Sequence, residues 1–260
     1  MFDRPFDVML QETRSASAPD REVLKTMANM AVLGTPVMTA REAARQLGMP
    51  ATTLLHWLEG ETRGRRFYPP VLRTDPLGTS DITWGEVVEA QYLRANRAKV
   101  SMQRLRPFLE NMREAFGVPY PLAHFRPYLD ANRDLIVDLQ ERSDVPDSLL
   151  LVVQGRRPGH CLLNEAVRLE FLDRVEFSQA SEADDSALRI RPEGRTSPVV
   201  LDPDFSSGVA TVRGVRTEVL TGLVDSGQEI DDVAFEFGLG ADDVRAACAY
   251  VWRVRQRAAA

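Results

Sequence analysis

Within "AARQLGMPATTLLHW" (residues 43–57) stand three side chains suited to reading a nucleic acid: Thr52, Thr53 and His56. A threonine hydroxyl can bond base edges and its methyl can touch a thymine methyl, while an imidazole reaches base or phosphate. A basic stretch without an acid, "RGRRFYPPVLR" (63–73), follows closely and offers Arg63, Arg65, Arg66 and Tyr68 for phosphate or minor-groove contact. Thr39, Arg41 and Arg45 flank the first group. Phosphate neutralisation supplies most of the affinity for a duplex, so these arginines matter even where no base is read. Catalysis finds little support. His160 and Cys161 are adjacent after the turn-like "RRPG", but no acid or second histidine stands at triad or ligand spacing. No glycine-rich phosphate loop occurs. The expectation is a protein that is not an enzyme and has no metal or other cofactor.

Such residues need short helices and a hairpin to hold them. Thr39 and Glu42 have capping-box spacing, which opens a helix ending at Leu47 before Gly48. Pro50 can start a second helix, running to Leu58 and stopping at Gly60. Ala44 faces the partner helix and Gly48 permits the left-handed turn between them, with Leu54 and Trp57 sealing the pair. The next stretch, to Trp84, predicts two short β pieces around a Pro/Gly/Asp turn, which fits a wing. Thr83 and Glu86 form a second capping box for a helix to about residue 98. Ser101 caps another, with Val100 and Leu105 as a hydrophobic staple and an apolar stripe Met102, Leu105, Leu109, Met112, Phe116. The order helix, turn, helix, wing, helix, helix is that of a winged helix-turn-helix.

The chain's 260 residues and 44% hydrophobic content suit two or three small domains. Its net charge of −6 is unevenly spread. "QYLRANRAKVSMQRLR" (91–106) is basic without an acid, whereas "SEADDS" (181–186) and "GQEIDDVAFE" (227–236) are acidic. No apolar run is long enough to span a bilayer, the N-terminus lacks a signal-like stretch, and Cys161 and Cys248 stand in no metal or disulfide pattern. A cytoplasmic protein without a membrane partner is expected. The fold class expected is mainly α with small β elements: a tail (1–19), the winged helix-turn-helix (20–117), a small α/β region (118–177), a linker (178–198) and a small helical domain (199–257). In the last, short strands precede helices over 217–225, 230–237 and 241–256.

That domain carries a second helix-turn-helix-like unit, "VAFEFGLGADDVRAA" (233–247), in which Ala234, Gly238, Val244 and Ala247 repeat the spacing of Ala44, Gly48, Leu54 and Trp57. Its third helix begins with Asp242 and Asp243, which repel phosphate. It is apolar over much of its girth, so a protein interface is expected there, carried by Val244, Ala247, Tyr250, Val251 and Trp252. The alternative is that these side chains only close the domain's own core. Arg253 and Arg255 would belong to the interface as part of a basic terminal arm.

The stretch "TAREAARQLGMPATTLLHWLEG" with the following wing resembles MerR-like winged helix proteins, without the long dimerising helix typical of MerR activators. Residues 199–250 resemble a small antitoxin domain in the strand leading to Asp202–Pro203, Gly208, "RGVRT" (213–217), "SGQEIDDVA" around Gly227, Leu239 and Ala246. Genes for that domain usually lie beside one for a PIN-like ribonuclease. The combination resembles VapB-type antitoxins. What the resemblance implies is neutralisation of a PIN-like ribonuclease toxin and repression through operator double-stranded DNA. A homodimer is expected, because single winged helices commonly pair on two half-sites. The rival is a stand-alone regulator whose middle region senses a small molecule.

Overall fold

The computed structural model describes residues 32–96, 102–124, 142, 153–157, 160–162, 173–178 and 186–259. The tail, nearly all of the helix expected from Asp20, the Val100–Ser101 cap and most of the middle region lie outside these residues. What is described is mainly α with small antiparallel sheets.

Strand β1 (Pro36–Thr39) leads into helix α1 (Ala40–Leu47), and α2 (Ala51–Glu59) follows after a short turn. Thr39 caps α1 by accepting the Glu42 N–H at 3.2 Å. The reciprocal half of that capping box gives way to other partners, since the Glu42 carboxylate takes Arg45 and Gln46 instead. Gly48 ends α1 at φ 62°, and the Met49 N–H returns to the Ala44 carbonyl at 2.9 Å. A left-handed residue followed by this back-bond is how a helix satisfies its last carbonyls. Ala44, Leu54, Trp57 and Leu58 are buried beneath the turn.

A hairpin, β2 (Glu61–Arg63) and β3 (Arg66–Tyr68), comes next. It turns at Gly64–Arg65, with Gly64 at φ 62°. This differs from the turn expected around Pro76 and Gly78. A glycine one residue past a strand end closes a two-residue loop at once, which leaves β4 (Asp81–Thr83) free to pair antiparallel with β1. Helices α3 (Trp84–Asn96) and α4 (Met102–Phe116) complete this part. The second capping box forms in full: the Thr83 N–H donates to Glu86 at 2.8 Å and the Glu86 N–H to the Thr83 hydroxyl at 3.4 Å. Leu105, Leu109 and Met112 of the expected stripe are buried, with Met102 and Phe116 half-buried.

Strand β5 (Val153–Arg157) pairs with β6 (His160–Leu162), and β7 (Val175–Phe177) with β8 (Ala187–Ile190). The linker expected over 178–198 therefore holds a strand, and that strand is core. Ala187 and Ile190 are fully buried, and the Trp84 indole N–H donates to the Ala187 carbonyl at 2.8 Å. Strand β9 (Val199–Val200), β10 (Thr211–Val212) and β11 (Val215–Arg216) form a three-stranded sheet in the order β11-β10-β9. Helices α5 (Thr217–Asp225), α6 (Ile230–Phe237) and α7 (Ala241–Ala259) follow. Gly238 closes α6 at φ 64°, and the Leu239 N–H returns to Ala234 at 2.8 Å. The two Ala-to-Gly turns are thus the same turn, made twice.

Helix α7 packs on α5, α6 and α1, and one continuous core joins both ends of the chain. The joint is polar at its centre. The Tyr250 hydroxyl lies 2.8 Å from the Gln46 backbone carbonyl and 3.1 Å from its side-chain oxygen, and the Ala210 N–H donates to that side chain at 3.4 Å. Gln46 and Tyr250 are both buried. Removing a buried donor strands its acceptor, so Tyr250→Phe should cost about 1–2 kcal/mol in urea unfolding. An unfolding midpoint equal to wild type would show that this bond adds nothing.

Candidate nucleic-acid interface

The residues expected to meet DNA separate into three groups. Thr53, His56, Arg63 and Tyr68 line a cleft of about 390 Å³ between α2 and the hairpin. Arg41, Thr52, Arg65 and Arg66 are exposed on α1, on α2 and at the hairpin tip. Thr39 and Arg45 are engaged elsewhere: the first caps α1, and the second pairs with Glu42 and, at 3.2 Å, with Glu218. Arg45 therefore ties α1 to α5.

Trp57, Pro69, Val71 and Met102 give the cleft an apolar floor, and Arg106 of α4 closes it, donating to the Pro69 carbonyl at 2.7 Å. The Arg63 and Arg66 guanidinium carbons lie 5.8 and 5.1 Å from the Tyr68 ring centroid. Cations held over an aromatic face are attracted by its quadrupole, so Tyr68 orders both arginines of the hairpin. Sequence reading overlooked Glu61 and Arg106. The signal for the acid was the strand period, which puts Glu61 and Arg63 on one face of β2; Arg106 ends the basic run 91–106.

A buried charge network holds the cleft walls in place. Arg73 donates from Nε to Glu86 at 2.7 Å, pairs with Glu59 at the end of α2, and donates to the Asp81 carbonyl at 2.5 Å. Burial opposes its charge, yet the two carboxylates outweigh that penalty and raise its pKa above the usual arginine value. Glu59 also accepts the Gly78 N–H at 2.8 Å, which fastens the loop after the hairpin. Arg113 of α4 donates to the Val71 carbonyl at 2.9 Å and to Glu89 at 3.2 Å.

Burial divides the residues expected at a C-terminal interface. Val244 and Ala247 are fully buried, with Tyr250 at 2% and Val251 at 4% exposure, because α7 spends its apolar girth on α5, α6 and α1. Trp252, Arg253 and Arg255 are exposed. They stand on a helix that continues to Ala259 rather than on a loose arm, and each has an internal partner. Trp252 and Arg255 bond Asp225 at 3.2 and 2.8 Å, and Arg253 pairs with Glu193 at 3.0 Å. Those two bonds to Asp225, the arginine's foremost, hold its carboxyl below the usual range. Asp243 is also engaged, accepting from Arg213 at 2.9 Å.

No family model matches the chain. It is 32% identical over 235 residues to "Uncharacterized protein Rv2308" of Mycobacterium tuberculosis (strain ATCC 25618 / H37Rv), covering 88% of this chain and 95% of that protein. It is 30% identical over 232 residues to a second protein of that strain, named "Putative antitoxin VapB45", covering 81% and 91%. The chain belongs to the VapB45 family. That name makes it a relative of VapB-like antitoxins. Among solved structures, the X-ray crystal structure of Rv2018 from Mycobacterium tuberculosis is similar to this VapB45-family chain, with 27% identity and a TM-score of 0.63 over 83% of this chain and 98% of that one. No helix among the described residues is long and apolar enough to cross a membrane.

One group behind the cleft carries a pH signature. Burial pushes the Glu89 carboxyl up to about 7, against the opposing pull of Arg113 and the Leu122 N–H. The folded state then holds this proton more tightly than the unfolded chain does. The group's contribution is complete below about pH 4 and is lost as pH rises through about 7. Wild type should therefore lose more stability than Glu89→Gln between about pH 5 and pH 8. Parallel melting-temperature profiles for the two proteins would contradict this.

Proposed function

We propose that this chain is a non-enzymatic antitoxin of a type II toxin–antitoxin module. It binds and neutralises a PIN-like ribonuclease encoded by the adjacent gene, and it represses its own operon as a homodimer on operator double-stranded DNA, in the cytoplasm. Kinship with the VapB45 family supports the antitoxin half. The observation that carries the DNA half is the cleft between α2 and the hairpin, with Thr53 and His56 on one wall and Arg63 and Tyr68 on the other. In this reading α2 is the recognition helix of a MerR-like winged helix-turn-helix and the β2–β3 hairpin is its wing. Thr52 and His56 face outward from α2, where base edges would lie, and Arg41, Arg65 and Arg66 extend the cationic rim.

The toxin half falls to the other end of the molecule. A nuclease that handles RNA needs a cationic surface, and an acidic partner can cover it. The α6 segment supplies exposed Asp231, Asp232 and Glu236 beside Phe235, which is 90% exposed. Trp252, Arg253 and Arg255 lie on the outer side of α7 in the same half. The apolar girth of α7 is taken by internal packing.

The wing can be separated from the toxin end by substitution. Arg65→Ala with Arg66→Ala should weaken binding to a duplex from the promoter region by about tenfold and flatten its salt slope by roughly one to two, while co-purification with the adjacent gene's product persists. Unchanged duplex affinity in this variant would remove the wing from the account.

A further inference from the structure

The cleft contains one charge of the wrong sign for the ligand proposed above. Glu61 opens β2 at the base of the cleft, with its side chain 21% exposed. One carboxylate oxygen lies 2.7 Å from Arg63 Nη2 and the other 3.3 Å from His56 Nδ1. These two side chains belong to different elements, β2 and α2, and both are the more exposed partners, at 70% and 47%. The acid bridges the recognition helix to the wing, and both of its oxygens are occupied by groups that a DNA phosphate would use.

Resting on the DNA-binding reading, we infer that Glu61 is an internal stand-in for a backbone phosphate, which lowers the chain's affinity for duplexes of every sequence. In the free protein it occupies Arg63 and His56, keeping them aligned across the cleft. A phosphate that enters must take over these donors and approach a fixed negative charge. Every duplex meets that cost equally, whatever its sequence. Contacts to base edges from α2 are made only on the right sequence, so the difference between duplexes is left to them. The acid thus lowers binding on every sequence. The bridge's own chemistry agrees: the hydrogen bond from Arg63 leads the groups that hold the Glu61 carboxyl below its usual range, so it stays ionised in the physiological range.

The choice of variant isolates charge from geometry. Glutamine at position 61 keeps an acceptor for Arg63 and a polar group for His56 while removing the negative charge. Binding is measured by fluorescence anisotropy on two duplexes, one from the promoter region of this gene and one of the same composition scrambled, over a salt series. Glu61→Gln should tighten binding to both by about two- to fivefold and steepen the salt dependence by roughly one released counterion. The tightening should shrink in an Arg63→Gln background, because Arg63 is what the acid holds. Equal or weaker binding by Glu61→Gln would overturn the inference, as would a gain of the same size with and without Arg63, which marks a general charge effect. Failure of the wild-type chain to bind either duplex would overturn the DNA-binding reading itself, a result distinguishable from the others.

Discussion

The structure depends on a hydrogen-bonded joint made far apart in sequence. Gln46 from the first short helix and Tyr250 from the last long one meet in the core, with the Ala210 N–H completing the set. Polar groups buried this deeply require partners, and each of these finds one across the joint. Without it, α1 would expose Gln46 and α7 would expose the face it packs on α1. Arg45–Glu218 reinforces the contact at the surface, and the Arg257 side chain lies over Gly48, the turn of the first helix pair. The N-terminal helix pair is therefore seated on the C-terminal unit, and its orientation is set by residues some two hundred positions away.

Seen from that joint, the repeated Ala-to-Gly pattern has a simple physical basis. Both copies need a helix to stop within one residue and a second to start across it, and both use a left-handed glycine with a back-bond to the alanine carbonyl four positions earlier. Their uses diverge in what surrounds the turn. The first copy leaves Thr52 and His56 on an open face beside a basic hairpin. The second consumes its third helix in packing, and Asp243, at that helix's start, anchors the β10–β11 turn through Arg213 instead of facing a groove.

Local signals carried far in this sequence. Capping residues, proline and glycine positions placed α1, α2 and the three C-terminal helices within a few residues of where they lie, because each such end is decided by a few neighbouring side chains. The outer face of α2 was legible for the same reason. Pairing between distant segments was not. Nothing near β4 shows that it joins β1, and nothing near the strand-like piece at 188–191 shows that Trp84 holds it in the core. An amphipathic reading of α7 identified apolar faces without revealing what covers them, so a partner and the chain's own core stayed open as covers for Tyr250 and Val251. In the cleft, acids were passed over in the search for cations, and Glu61 emerged only once α2 and β2 were seen together.

We propose that a chain built this way restrains a toxic ribonuclease. The most direct test is growth of cells expressing the product of the neighbouring gene from an inducible promoter, alone and together with this chain, with RNA integrity followed in both. The account predicts arrest and RNA cleavage that this chain relieves, with the two proteins co-purifying. Absence of toxicity together with absence of a complex would contradict it.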